Sequence, residues 1–175
     1  MMADWKSALI SGEDVSGSLQ ALDAALRRME DHRDLVPVLG PLMSSPDPEV
    51  RRQASWCMAK MGQNKKGDAD VLPFLLSSCQ DQEAEVRENC AWGIGEFAGA
   101  DVGDERCLPA LESLLGDPDR DVRGMAAWAL GRFADKMSLT SPSSAKALEA
   151  LLEDESPYVR KTAEFALQRI SALQG

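Results

Sequence analysis

A single histidine, a single tyrosine and the absence of any Cys-x-x-C pair remove most metal chemistry from this 175-residue chain at the outset. A zinc site needs closely spaced Cys and His. Here His32 stands alone, and Cys57, Cys79, Cys90 and Cys107 are scattered. Cys57 and Cys90 occupy helix positions held elsewhere by Ala, so they read as small core residues. No Gly-rich phosphate loop or catalytic-triad pattern is present, so neither an enzyme nor a cofactor is expected. No window approaches the ~18 apolar residues of a membrane span. The start, Met1-Met2-Ala3-Asp4-Trp5-Lys6, lacks the charged and apolar regions of a signal peptide, and the expected location is cytoplasmic. Basic excess is also missing: the formal net charge is −10, which speaks against nucleic acid as a partner. Aromatics make up only 5% of the chain and Ile is scarce, whereas Ala, Leu and Met are plentiful. That balance favours an all-helical protein over one built from strands.

What the chain does contain is a repeat. Asp117-Pro118-Asp119 reads as a turn, followed by a helix with apolar residues at Val122, Ala126, Ala129, Leu130 and Phe133. The Val-Arg dipeptide inside it recurs as Val50-Arg51, Val86-Arg87, Val122-Arg123 and Val159-Arg160, spaced 36, 36 and 37 residues apart. Self-similarity at such a period means a solenoid, in which each unit buries its apolar face against its neighbours.

The expected organisation is one domain over residues 1–175. Residues 1–30 form a capping pair of helices, and fuller units span about 34–62, 71–98, 106–134 and 144–172. In the cap, Trp5, Ala8, Leu9 and Ile10 are expected on one short helix. Leu19, Leu22, Ala25, Leu26 and Met29 are placed on the inner face of a second helix running to about Glu30. Each fuller unit reads as helix, turn, helix, and three of the first helices carry an early Pro, where its missing N–H is harmless. Gln63 to Asp70, Gly99 to Arg106 and Asp135 to Ser144 read as polar surface connections.

The pattern Asp-Pro-x-x-x-Val-Arg-x-x-Ala-Ala-x-Ala-Leu-Gly, seen at Asp117 to Gly131, resembles the short HEAT-like repeats named after the phycobilisome lyases. The resemblance covers about Leu35 to Ile170 and implies a right-handed α-solenoid of about five helix pairs. It also implies a ladder between neighbouring repeats, built from Asp81 with Arg87, Asp117 with Arg123 and Asp154 with Arg160. Arg51 has Ser45 in place of the Asp, which leaves its rung open.

Counted from Val at 100° per residue, positions four, seven, eight and eleven of the second helix lie within about 80° of Val and form the buried face. Position six points about 120° away, yet it carries Trp56, Trp92, Trp128 and Phe165. Four aromatics at one register make a column. If the second helices line the inner curve, the column falls on the concave surface. Arg52, Glu88, Gly124 and Lys161 flank it at position two, and Lys60, Glu96, Arg132 and Arg169 at position ten. Each ring either fills the groove between repeats as mortar or presents a face to a ligand; the two roles are compatible. Large aromatics beside Arg are the composition of interface anchors, so the expected function is a protein-binding scaffold recognising a protein or peptide on this face. The resemblance offers two alternatives, a bilin lyase-like chromophore chaperone and a repair-type DNA binder. Deoxyhypusine hydroxylase, also of this class, needs repeated His-Glu pairs and is excluded by the single His.

Overall fold

The computed structural model describes residues 4–175, so Met1, Met2 and Ala3 of the expected cap lie outside it. Ten α-helices follow one another in five antiparallel pairs: α1 (Trp5–Ser11) and α2 (Val15–Arg27), α3 (Val36–Leu42) and α4 (Pro48–Gln63), α5 (Leu72–Ser78) and α6 (Ala84–Ala98), α7 (Cys107–Leu114) and α8 (Arg120–Met137), α9 (Pro142–Ala150) and α10 (Pro157–Gln174). There is no strand among the described residues. The result is an α-solenoid. Helix starts follow the expected chemistry: Asp47 and Asp119 accept hydrogen bonds from the first free N–H groups of α4 and α8, with Pro at the opening of α3, α4, α5, α9 and α10.

The second helices α4, α6, α8 and α10 pack on one another far more extensively than the first helices do. The more closely spaced layer of a curved array is its inner one. The expected core positions are filled as the spacing predicts. Ala54, Cys57, Met58 and Met61, their α6 and α8 counterparts, and Ala163, Ala166 and Ile170 are all buried. Leu167 alone is half-exposed; no further helix packs on α10 among the described residues. Small residues at these places let the axes approach. A Cβ on Gly93 would stand 3.2 Å from the Ala59 Cα.

Four local expectations are corrected. Ile10 lies on α1 as expected, whereas Met29 is 60% exposed and does not belong to the inner face. Helix α2 ends at Arg27, and Met29 sits beyond it in a left-handed turn at φ 64°. Residues 135–144 are not all loop, since α8 continues to Met137 and α9 starts at Pro142.

The fourth correction concerns the ladder. Each arginine bonds not to the Asp of its own turn but to that turn's carbonyls, and it reaches forward to the Asp of the next repeat. Arg87 Nη1 donates to the Asp81 carbonyl (2.8 Å), while its Nε and Nη2 donate to Asp117 (2.7 and 2.9 Å). Arg51 bonds the Ser45 carbonyl (2.9 Å) and Asp81 (2.8 Å); Arg123 bonds the Asp117 carbonyl (3.0 Å) and Asp154 (2.9 Å). Three rungs therefore join four repeats. Ser45 breaks nothing: one 36-residue period before Arg51 stands Val15, so no arginine reaches forward to position 45. Ser45 Oγ still accepts from the Asp47 N–H, as each rung Asp accepts from the N–H two residues on. At the other end Arg160 holds the carbonyls of Asp154 and Glu155, with no carboxylate partner among the described residues.

Two outcomes follow. Arg123→Ala leaves Asp154 without its fork, at 9% side-chain exposure, and lowers stability by about 1–3 kcal/mol. Arg160→Ala breaks no rung and costs under about 1 kcal/mol; urea midpoints distinguish the two, and equal midpoints contradict the forward pairing. The second outcome is acid sensitivity. The Arg123 fork holds the Asp154 carboxyl below the usual aspartate range; at Asp117 burial is the largest influence and raises the carboxyl, and the Arg87 fork, the Asp119 N–H and the Arg123 charge together bring it below that range. Depressed carboxylates stabilise the fold above their unfolded pKa, and the contribution is lost as pH falls through the folded value. Urea midpoints should therefore drop below about pH 4, and Asp154→Asn should flatten that slope.

Candidate interaction surface on the second helices

The aromatic column divides into two kinds of ring. All four side chains are half-buried, which corrects the exposed position that helix angle alone gives. Trp128 and Phe165 are keyed into the preceding helix. A Cβ on Gly95 would lie 2.5 Å from Trp128 Cζ3, and one on Gly131 would lie 2.6 Å from Phe165 Cε1. Glycine leaves a recess at these two places and the ring fills it. Arg132 covers the Trp128 ring at 5.6 Å and Arg169 the Phe165 ring at 5.2 Å. These two rings are mortar.

Trp56 and Trp92 are different. Ala59 stands one 36-residue period before Gly95, so no glycine offers Trp92 such a recess. Trp92 lies instead against Trp56, with ring centroids 5.0 Å apart at 43°. Their indole N–H groups are anchored sideways, Trp56 Nε1 to Asp23 (2.8 Å) and Trp92 Nε1 to Glu96 (3.1 Å), and Arg27 lies over Trp56 at 6.0 Å. Beside the pair is a cavity of about 290 Å³ lined by Trp56, Glu85, Glu88, Asn89, Trp92 and Met125. A second of about 350 Å³, on the α2 side of Trp56, is lined in part by Gln20, Asp23, Glu49 and Arg52.

The flanking charges are mostly engaged within the protein. Arg52 pairs with Glu49 and lies 3.5 Å from Glu83 and 3.7 Å from Glu85. Arg132 is 3.9 Å from Glu96, and Arg169 is 3.6 Å from Asp135. Lys60 donates to Gln63 (2.6 Å), while Lys161 is exposed. Glu88 is half-buried, and its carboxyl is raised above the usual range by burial, then by the charges of Asp121, Asp119 and Glu85. Sequence reasoning missed Glu85, Asn89, Asp121, Met125 and Tyr158, because they come from three different helices. The one available signal was Gly124, whose missing side chain makes room for the Tyr158 ring.

The four thiols are all buried. Burial pushes Cys57 and Cys79 up to about 12 and raises Cys90 and Cys107, so none is poised as a nucleophile. Among the described residues no group of His, Cys, Asp or Glu could hold a metal ion, and no helix is long and apolar enough to cross a membrane.

The mortar assignment has a direct test. Gly95→Ala forces the Trp128 ring out and should lower stability by about 1–2 kcal/mol, overpacking outweighing the ~1 kcal/mol of helix propensity gained. Gly116→Ala, with nothing within 4 Å, should stay within about 0.5 kcal/mol of wild type. A stabilised Gly95→Ala variant would contradict the keyed packing.

Comparison with known proteins agrees with this architecture. A computationally designed armadillo repeat protein for modular peptide recognition superposes with a TM-score of 0.72 at 20% identity, over 98% of this chain and 83% of that one. A designed armadillo repeat protein in complex with the peptide (KR)4 gives 0.66 at 19% identity, over 93% and 82%. An engineered protein gives 0.66 at 22% identity, over 90% and 67%. No curated protein matches. The sequence pattern of HEAT repeats matches residues 2–95 and again 72–168, and the chain belongs to the HEAT-repeat family.

Proposed function

We propose that this chain is a non-enzymatic adaptor that holds a partner peptide or protein segment along the second helices, with Trp56 and Trp92 as the central anchors. The observation that carries this reading is the Trp56–Trp92 pair, the two rings of the column not keyed into a glycine recess, standing beside a cavity. Rigid aromatics presented on a preorganised scaffold bind at small entropic cost. The likeness to designed armadillo proteins, one built for modular peptide recognition and one in complex with a peptide, supports peptide binding by this architecture. The 36–37-residue period supports placing the repeats in the short phycobilisome-lyase-type class. A bilin-handling role gains no support from the thiols, all of which are buried.

The test uses a partner recovered from the source cell and then purified. Trp92→Ala should weaken its binding at least about tenfold with a fall of only a few degrees in Tm, since the ring is half-buried. Gln63→Ala, on an exposed connection, should change neither. A Trp92→Ala variant that folds and binds like wild type would place recognition elsewhere.

A further inference from the structure

Resting on that reading, we propose that the cavity beside Trp56 and Trp92 is a subsite for a cationic side chain, Lys or Arg, of the bound peptide, with Glu88 as its counter-ion. The walls are apolar, from Trp56, Trp92 and Met125, and suit the methylene stem of such a side chain. The rim is acidic. Glu85 and Glu88 line the cavity, and Asp119 and Asp121 at the start of α8 add to the same field. Arg52, which reaches the rim residue Glu85, is already shared among Glu49, Glu83 and Glu85. Glu88 has no ion-pair partner among the described residues, and its charge, after burial, helps raise the Tyr158 hydroxyl on α10.

A second feature is independent of the charges. Asn89 lines the cavity and is 6% exposed. Its amide nitrogen is committed to Ser55 Oγ (3.1 Å) and the Arg52 carbonyl (3.4 Å). Its carbonyl oxygen receives no hydrogen bond among the described residues and is left to accept an N–H from the occupant. One aromatic floor, one free acceptor and one uncompensated carboxylate match the three parts of a Lys or Arg side chain: stem, N–H and charge.

Glu88 makes no side-chain hydrogen bond or ion pair among the described residues that would account for its place, and its carboxyl is raised by burial and neighbouring acids. A carboxyl whose folded pKa is raised stabilises only below its unfolded pKa, and that contribution is gone once pH rises through the folded value. Charged Glu88 therefore weighs against the fold at neutral pH. Holding a destabilising group at a surface cavity is the pattern of a binding residue.

The experiment follows Trp fluorescence while wild type, Glu88→Gln, Glu105→Gln and Trp92→Ala are titrated with an eight-residue alternating Lys-Arg peptide, and with its analogue carrying Gln at every position. Glu105 is exposed and away from the cavity, so its variant carries the same change in net charge. Wild type and Glu105→Gln should bind the basic peptide alike, and Glu88→Gln should bind it at least about tenfold more weakly. Over the same substitution Tm should rise by about 1–3 °C, so weaker binding in Glu88→Gln cannot be put down to a damaged fold. Equal losses in Glu88→Gln and Glu105→Gln would mean diffuse charge attraction and would overturn the subsite. Should the Gln peptide bind as well as the basic one, with both lost in Trp92→Ala, the peptide-binding face would stand and the cation subsite would fall. No binding of the basic peptide at millimolar concentration would also overturn the subsite, leaving the wider reading to the purified partner.

Discussion

One arginine per repeat sets the geometry of this molecule. Its planar fork holds two carbonyls of its own turn and the carboxylate of the next, so two turns are fixed at the separation one guanidinium can span. Because each turn immediately precedes a second helix, that separation brings α4, α6, α8 and α10 close together in register. Only small residues fit where their axes approach, and Ala, Gly and Cys are what the sequence supplies there. The aromatic column is a consequence. A ring at position six drops into the preceding helix where a glycine offers a recess, at Gly95 and Gly131, and cannot do so at Ala59. Ala59 before Trp92 and Asp23 before Trp56 thus separate the pair that borders a cavity from the two rings of mortar.

The same closeness concentrates charge. The second helices begin side by side, and their first turns carry Glu49, Glu85 and Asp121. Helix dipoles favour acids there, so most of this charge is ordinary capping. Glu88 lies one turn further in, is half-buried, and faces acids from its own helix and from α8. The arginines that would offset it are engaged elsewhere, Arg52 with its three glutamates and the rung arginines with their aspartates. A net charge of −10 is thus not spread evenly in effect. Part of it is focused beside the Trp56–Trp92 pair.

Much of the fold was legible in the sequence because its signals are local or strictly periodic. The Val-Arg ruler marked the repeats, and counting from Val identified the buried face down to Ala126, Ala129 and Leu130. Periodicity also brought out the column. What it could not supply was partnership across repeats. Asp117 sits six residues before Arg123 and 30 after Arg87, and only three dimensions decide that it belongs to Arg87. The split of the column depends on whether position nine of the preceding repeat is Gly, as at Gly95 and Gly131, or a residue with a side chain, as at Asp23 and Ala59, a difference that matters only once two helices touch. The surroundings of Glu88 come from α6, α8 and α10, and no spacing within one helix announces them.

The central claim is that the exposed edge of the Trp56–Trp92 pair, and not the column as a whole, receives a peptide. The chain has four tryptophans, Trp5, Trp56, Trp92 and Trp128, so the indole N–H region of a ¹H–¹⁵N spectrum holds one resonance for each. Titration with the alternating Lys-Arg peptide should move the Trp56 and Trp92 resonances together. Trp5, packed on His32 in the cap, and Trp128, keyed against Gly95, should stay in place. Movement of Trp5 or Trp128 alone, or of none of the four under saturating peptide, would contradict the account.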